Sequence, residues 1–226
     1  MLIKKYLCIF CNKRINVNSS FFNNGHIGIC TDCLNKLFPT PRPPLFNAEG
    51  NSIDYVISPL FYKGRLRDLI MDLKFNNCRA YAEVLSDLMC NLLNDMSFLA
   101  DFDFVVPVPL SKKRFTERGY NQSALLAEPF ARMLGIPMCE DILFKPKHTK
   151  RQSRVEVSER FTNVRNSFKA SDLAKNKRIL LFDDILTTGS TLKACADTLK
   201  DAEASDIVGI TLSVTEKNEN ILNIMY

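Results

Sequence analysis

Two stretches of this sequence carry residue types at spacings that do chemistry. The first is Ile179 to Thr191, ILLFDDILTTGST. Four apolar residues read as a buried strand, two aspartates follow, and a Thr-Thr-Gly-Ser-Thr loop opens a helix marked by Leu192, Cys195, Ala196 and Leu199. Such a loop offers backbone N–H groups at a helix N-terminus and the hydroxyls of Thr187, Thr188, Ser190 and Thr191. Gly189 permits positive φ and close backbone approach. This is a phosphate cradle without a lysine. Asp183 and Asp184 would repel a phosphate. They would instead accept hydrogen bonds from sugar hydroxyls or hold a divalent cation, so the matching ligand is a ribose phosphate. Helix capping would account for one aspartate, but not for both together with the loop.

The second stretch holds Cys8 and Cys11, then Cys30 and Cys33, two Cys-x-x-Cys turns with 18 residues between them. That is zinc-ribbon spacing: each turn aims two thiolates at one metal, and two turns close a tetrahedral site with no open position. The expected role is structural zinc, with iron as the other metal of such a site. His26 lies between the pairs as a substitute ligand. Cys78, Cys90, Cys139 and Cys195 are isolated and read as packing. With only His26 and His148 in the chain, a Ser-His or His-metal hydrolase is a poor fit.

Elements must position these residues. Pro39, Pro41, Pro43 and Pro44 make a stiff linker. The expected organisation is a four-cysteine zinc ribbon over 1–38, a Pro-rich linker over 39–53 and one larger domain over 54–226. Asp54 to Tyr62 reads as one strand with Pro59 at an edge or bulge, and Lys63-Gly64 as a turn. Leu66, Leu69, Ile70 and Leu73 recur at helical spacing, as do Leu85, Leu88, Met89, Leu92, Leu93 and Met96. Phe104 to Pro109 reads as a buried strand entering a loop. Gln122 to Leu134 reads as a helix that Pro129 should kink or reset. Lys145 to Lys169 reads as an exposed, mobile loop with a short helix from about Ser158. Ile207 to Val214 reads as a last buried strand. Short apolar strands alternating with helices imply an α/β fold with a parallel sheet covered on both faces.

Composition narrows the class. Of 226 residues 46% are apolar and 24% charged, ordinary globular usage that excludes disorder, collagen and coiled coil as overall descriptions. No run reaches the roughly 18 apolar residues of a spanning helix. MLIKKYLCIFC lacks a small-residue cleavage site and does not read as a signal peptide. The expectation is a cytoplasmic protein without membrane insertion, its thiols reduced. The net charge of +5 hides a basic third: residues 105–178 carry 16 Lys+Arg against 7 Asp+Glu. Such a segment suits phosphate, diphosphate or nucleic acid as partner, or forms a solvated basic face.

The stretch Ile179 to Thr191 resembles the signature of type I phosphoribosyltransferases. Together with FVVPVPLS from Phe104, KKRFTERGYNQS from Lys112, KRQSRVEVSERFTNVRNSF from Lys150 and the four-cysteine ribbon, it makes nearly the whole chain similar to the ComF family. That family is a zinc-bearing branch of the phosphoribosyltransferase-like proteins tied to DNA uptake in competent bacteria. The resemblance implies a type I phosphoribosyltransferase-like parallel sheet flanked by helices, plus the small N-terminal zinc-ribbon module. It implies that Asp183 and Asp184 contact the 2′- and 3′-hydroxyls of 5-phosphoribosyl diphosphate (PRPP), and that Thr187, Thr188, Gly189, Ser190 and Thr191 hold its 5′-phosphate. Val108, Pro109, Leu110, Ser111 and Lys112 would form the diphosphate loop, with Lys113, Arg114 and Arg118 as further anion contacts. Lys147, Lys150, Arg151, Arg154, Arg160 and Arg165 would belong to a mobile loop closing over PRPP. Mg²⁺ would accompany PRPP, since the diphosphate would otherwise face two carboxylates.

Some purine-salvage relatives carry an acidic general base where this chain has Thr187, so no residue is assigned a catalytic role. Three functions follow. The first is a competence protein that binds PRPP-Mg and single-stranded DNA, with a DNA-uptake motor protein as partner. Phe115, Tyr120 and Phe161, interleaved with basic residues, would stack bases or else sit in the core. The second is an active phosphoribosyltransferase with an unidentified acceptor, displacing diphosphate at the anomeric carbon while the basic loop excludes water. The third is a PRPP-sensing regulator.

Overall fold

The structure is a computed structural model that describes residues 6–15, 20–22, 27–40, 52–53, 55–93, 97–146 and 167–215. The cysteine pairs sit in a small sheet of β1 (Tyr6–Cys8), β2 (Arg14–Ile15), β3 (Ser20–Phe22) and β4 (Ile27–Cys30), in the order β2-β1-β4-β3. A short helix, α1 (Thr31–Leu34), follows directly. Each Cys-x-x-Cys starts where a strand ends: Cys8 closes β1 and Cys30 closes β4.

The segment from 54 to 62 forms two strands where one was expected. β5 (Tyr55–Ile57) and β6 (Leu60–Phe61) are separated at Ser58-Pro59, where proline has no N–H to give a ladder. Pro39 and Thr40 run back along this break: Thr40 N donates to Pro59 O at 3.0 Å, and Phe61 N donates to Phe38 O at 2.8 Å. Lys63-Gly64 opens a helix directly, because α2 spans Gly64–Phe75. α3 (Tyr81–Leu92) comes next, and the two helices bury Leu66, Leu69, Ile70, Leu73, Leu85, Leu88 and Met89 of the predicted stripes, while Leu92 is half-buried and Leu93 caps α3. Met96, placed on the same stripe, lies outside the described residues.

Then follow β7 (Phe104–Pro107), α4 (Lys112–Arg118) and α5 (Gln122–Leu134). Pro129 does not reset α5, which runs through all 13 residues. Its ring is buried on the core face, and that packing offsets the one backbone hydrogen bond the proline cannot make. The antiparallel pair β8 (Leu143–Phe144) and β9 (Lys169–Ala170) precedes β10 (Ile179–Leu186), α6 (Ser190–Asp201) and β11 (Ile207–Val214).

The main sheet is ordered β5-β11-β10-β7, with β6 also beside β11, and every pairing is parallel. β10 and β11 are its centre. On one face Leu180 and Phe182 of β10 pack with α2, α3 and α5, and the Phe182 and Phe130 rings lie 5.4 Å apart. On the other face Ile179 and Leu181 pack with Leu192, Cys195 and Leu199 of α6. Gly209 lets β5 lie close to β11, for a Cβ there would stand 3.1 Å from Val56 Cγ2. Both faces are covered, as the sequence pattern requires for parallel strands. No helix among the described residues is long and apolar enough to cross a membrane.

The cysteine sheet is seated on this domain. Ile9, Phe10 and Ile29 join the core formed with α2 and α3, and Arg65 Nε donates to Phe10 O at 3.0 Å. Residues 41–51 of the expected linker lie outside the described residues, as do residues 147–166 and the stretch after Thr215.

Candidate functional site

The carboxyl end of β10 holds the predicted motif, with one difference. The strand does not end at Phe182 but continues through Leu186, with Asp183 opposite Thr211 and Ile185 opposite Ser213 of β11. The aspartates therefore sit inside a central strand, where the sheet fixes their backbone. After Leu186 come Thr187 and Thr188, both exposed, then Gly189 at φ +74°, and α6 begins at Ser190. A Cβ at Gly189 would meet only Leu186 Cδ1 at 3.8 Å, so the left-handed backbone, not space, favours glycine there. Thr188 Oγ1 and Ser190 Oγ lie 2.9 Å apart, which holds the loop turned over the start of α6. Thr191 is exposed at the same end. The structure thus brings Thr187 to Thr191 together at the amino end of a 12-residue helix, where N–H groups and the helix dipole favour an anion.

The two carboxylates have different surroundings. Asp184 is buried and turns towards the α2–α5 side. The Lys74 ammonium of α2 pairs with its Oδ2, and Gln122 Nε2 of α5 donates to its Oδ1 at 3.4 Å. Asp183 is mostly buried, and its Oδ1 accepts from Ser123 Oγ at 2.7 Å and from Asp184 N at 2.9 Å. Burial, reinforced by the neighbouring Asp184 charge, pushes the Asp183 carboxyl up to about 7. One carboxylate is thus paired with a cation, and the other lies against a hydroxyl and a backbone amide.

Lys74, Gln122 and Ser123 were not singled out from the sequence. Lys74 had a local signal: it lies four residues after Ile70, on the apolar stripe of α2, where a cation is out of place unless paired. Gln122 and Ser123 had none, since nothing in YNQS says that the first turn of α5 faces β10. Lys145, just after β8, is a further addition. Its ammonium lies 4.4 Å from the Phe168 ring centroid, and burial lowers its pKa, opposed by the nearby Cys195 thiol and Asp183 carboxyl.

The segment after β7 is anchored at its start. Val108 N donates to Phe182 O at 2.8 Å, and Asn121 Nδ2 donates to Val108 O at 3.1 Å, so Val108 fixes the loop to β10 and to α5. Pro109, Leu110 and Ser111 are half-buried, and Ser111 Oγ caps α4 by accepting from Arg114 N at 3.3 Å. Lys112, Lys113 and Arg114 are exposed on α4, so the proposed diphosphate loop ends in a helix at Lys112. Arg118 is half-buried, and its Nη1 donates to Gln122 Oε1 at 2.6 Å. Tyr120 is a core residue whose hydroxyl donates to Leu73 O, while Phe115 is exposed. Lys147, Lys150, Arg151, Arg154, Arg160, Phe161 and Arg165 lie outside the described residues.

Cys8, Cys11, Cys30 and Cys33 come together with all four sulfurs within 4.8 Å of one another, and the set could hold a metal ion. The Cys11–Cys30 sulfur separation is 3.8 Å, which is the edge of a tetrahedron drawn around a centre with bonds of about 2.3 Å to sulfur. Burial pushes the Cys8 thiol up, but the backbone amides of Cys30, Cys11 and Phe10 outweigh it and bring it down to about 7. His26 lies outside the described residues. Cys90 and Cys195 are buried, and burial raises both thiols, the first to about 12, as suits packing residues.

Residues 121–224 match the family described as the Phosphoribosyl transferase domain. Competence protein F of Haemophilus influenzae is 30% identical over 221 residues, covering 91% of this chain and 89% of that protein. DNA utilization protein YhgH of Escherichia coli K12 is 32% identical over 175 residues, covering 75% of this chain and 70% of that protein. Competence protein ComFC of Bacillus subtilis is 27% identical over 214 residues, covering 93% of this chain and 78% of that protein. An N-terminal four-cysteine cluster, a parallel sheet of the phosphoribosyltransferase type and these near full-length similarities lead to one conclusion: the chain belongs to the ComF family.

Proposed function

We propose that this chain is a DNA-uptake protein that binds PRPP with Mg²⁺ at the carboxyl end of β10 and handles single-stranded DNA on its basic face. The observation that carries the reading is the pairing of a phosphate-accepting loop, Thr187 to Thr191, with two carboxylates fixed in the strand before it. In that reading the loop N–H groups and hydroxyls take the 5′-phosphate and Asp183 accepts from a ribose hydroxyl, with Asp184 joining it by exchanging Lys74 or Gln122 for the sugar. Bound Mg²⁺ would screen the diphosphate from these carboxylates. Ser111 and the cations Lys112, Lys113, Arg114 and Arg118 would serve as contacts for the diphosphate or for DNA phosphates. Zinc in the four-cysteine cluster would hold the ribbon as a structural module, and the names of the relatives support a role in DNA uptake or use.

Transfer of the phosphoribosyl group to an unidentified acceptor is a second reading, which Asp183 favours. Asp183 lies shortly before Thr187 in sequence, in the carboxyl-terminal half of β10, and burial raises its carboxyl towards a proton-accepting range that a threonine hydroxyl does not reach.

Titration calorimetry with PRPP and Mg²⁺ tests the cradle. Binding is expected in the wild type and its loss in Asp183→Asn/Asp184→Asn; a wild type indifferent to PRPP overturns the assignment. For the basic face, log K for a single-stranded oligonucleotide should fall with log salt by about 0.7 per phosphate neutralised, and a flat response overturns that part.

A further inference from the structure

The corner where α2 ends against α4 carries two exposed aromatic rings. Phe75, the last residue of α2, is 60% exposed, and Phe115 of α4 is 51% exposed. The Tyr120 ring is in the core. The Arg118 guanidinium lies 4.9 Å from the Phe75 ring centroid, and its hydrogen bond to Gln122 keeps it there. Arg79 sits in the same corner, over the Tyr120 ring at 4.4 Å. On α4 itself Lys112, Lys113, Arg114 and Arg118 face a single acid, Glu117, which lies 3.9 Å from Lys113.

We infer that Phe75 is a stacking platform for a base of single-stranded nucleic acid, with the α4 cations holding the phosphates on either side. An exposed ring costs solvation unless a flat apolar partner covers it, and the cations beside it call for a polyanion. A single strand offers both at once, since its base faces are open; a duplex hides them in its own stack. The corner also touches the cradle. Arg118 donates to Gln122, and Gln122 donates to Asp184 at 3.4 Å, so a base on Phe75 would lie one side-chain relay from the proposed PRPP carboxylates. This inference rests on the single-stranded DNA reading above.

The chain has no tryptophan, so Phe75→Trp introduces a single reporter. Oligothymidylate should quench its fluorescence, while an abasic oligomer of the same length, heparin and polyglutamate should not. Phe75→Ala should weaken oligothymidylate binding by about 5- to 150-fold, the range of one lost base–aromatic stack, with its thermal midpoint unchanged. Phe75→Tyr, which keeps a ring, should bind like the wild type. If wild-type protein fails to bind oligothymidylate, the DNA reading falls and this inference with it. If the wild type binds but Phe75→Ala binds equally well, or if abasic oligomer or polyglutamate quenches as strongly, Phe75 is not a platform and the DNA reading stands without it.

Discussion

Lys74→Met is the sharpest perturbation, because it removes the charge that lets Asp184 sit inside a central strand. The two side chains are 16% and 6% exposed, so this is a buried ion pair rather than a surface one. Breaking such a pair from one side costs about 3–5 kcal/mol, against about 0–1 kcal/mol for an exposed pair. Lys74 is not fully shielded, which points to the lower end, about 3 kcal/mol. Once it is gone, Asp184 keeps, among the described residues, only Gln122 Nε2 at 3.4 Å, and that amide is already held by Arg118. Methionine fills most of the volume of the lysine stem, so the loss reports charge rather than a cavity. Urea denaturation of the metal-loaded protein is the assay. With an m-value of roughly 2–3 kcal/mol/M, the midpoint should fall by about 1–1.5 M. Asp184→Asn in the Lys74→Met background should recover much of this, because a neutral amide needs no counter-ion. A loss below about 0.5 kcal/mol, the scale of a surface pair, would refute the argument. So would a double variant that costs the sum of the two singles, since coupled partners are non-additive.

Two further outcomes follow from the same geometry. Asp183 has its carboxyl raised to about 7 in the folded chain, above the roughly 4 of a free aspartate, so its contribution to stability is full below about pH 4 and is lost as pH rises through 7. Asp183→Asn should therefore raise the thermal midpoint relative to the wild type at pH 8 but not at pH 4, and a gap that stays constant over this range would refute the shift. In the second, a chelator that strips the four-cysteine cluster should expose the seat of Ile9, Phe10 and Ile29 on α2 and α3, lowering the thermal midpoint and raising binding of a hydrophobic dye; an unchanged melting curve with metal shown to be absent would mean the ribbon packs without it.

How far the site could be read in advance depended on sequence distance. The cysteine cluster was legible because each half is a four-residue turn whose spacing already fixes two sulfurs, and only the meeting of the halves needed the fold. The cradle was legible for the same reason: strand, loop and helix are consecutive, and Gly189 marks the turn. Even so, the paired aspartates looked like the end of a strand, since polar residues rarely continue a buried one. The continuous register with β11 carries the strand past them, and burial then needs partners that local pattern does not name. Those partners come from 110 residues upstream in Lys74, and from about 60 upstream in Gln122 and Ser123. Pro129 misled for the converse reason, because the local rule for a helix breaker was overridden by a core that its side chain helps to fill, and the same core decides between the two places open to Tyr120. The same logic explains why Phe75 was invisible beforehand. As the position after Lys74 on a helix it looked like one more apolar residue, and only the placement of α4 beside it leaves its ring in the open with a guanidinium on one face. A residue whose burial is withheld by the fold, beside cations that its own helix did not supply, is the kind of functional feature that a one-dimensional pattern cannot encode.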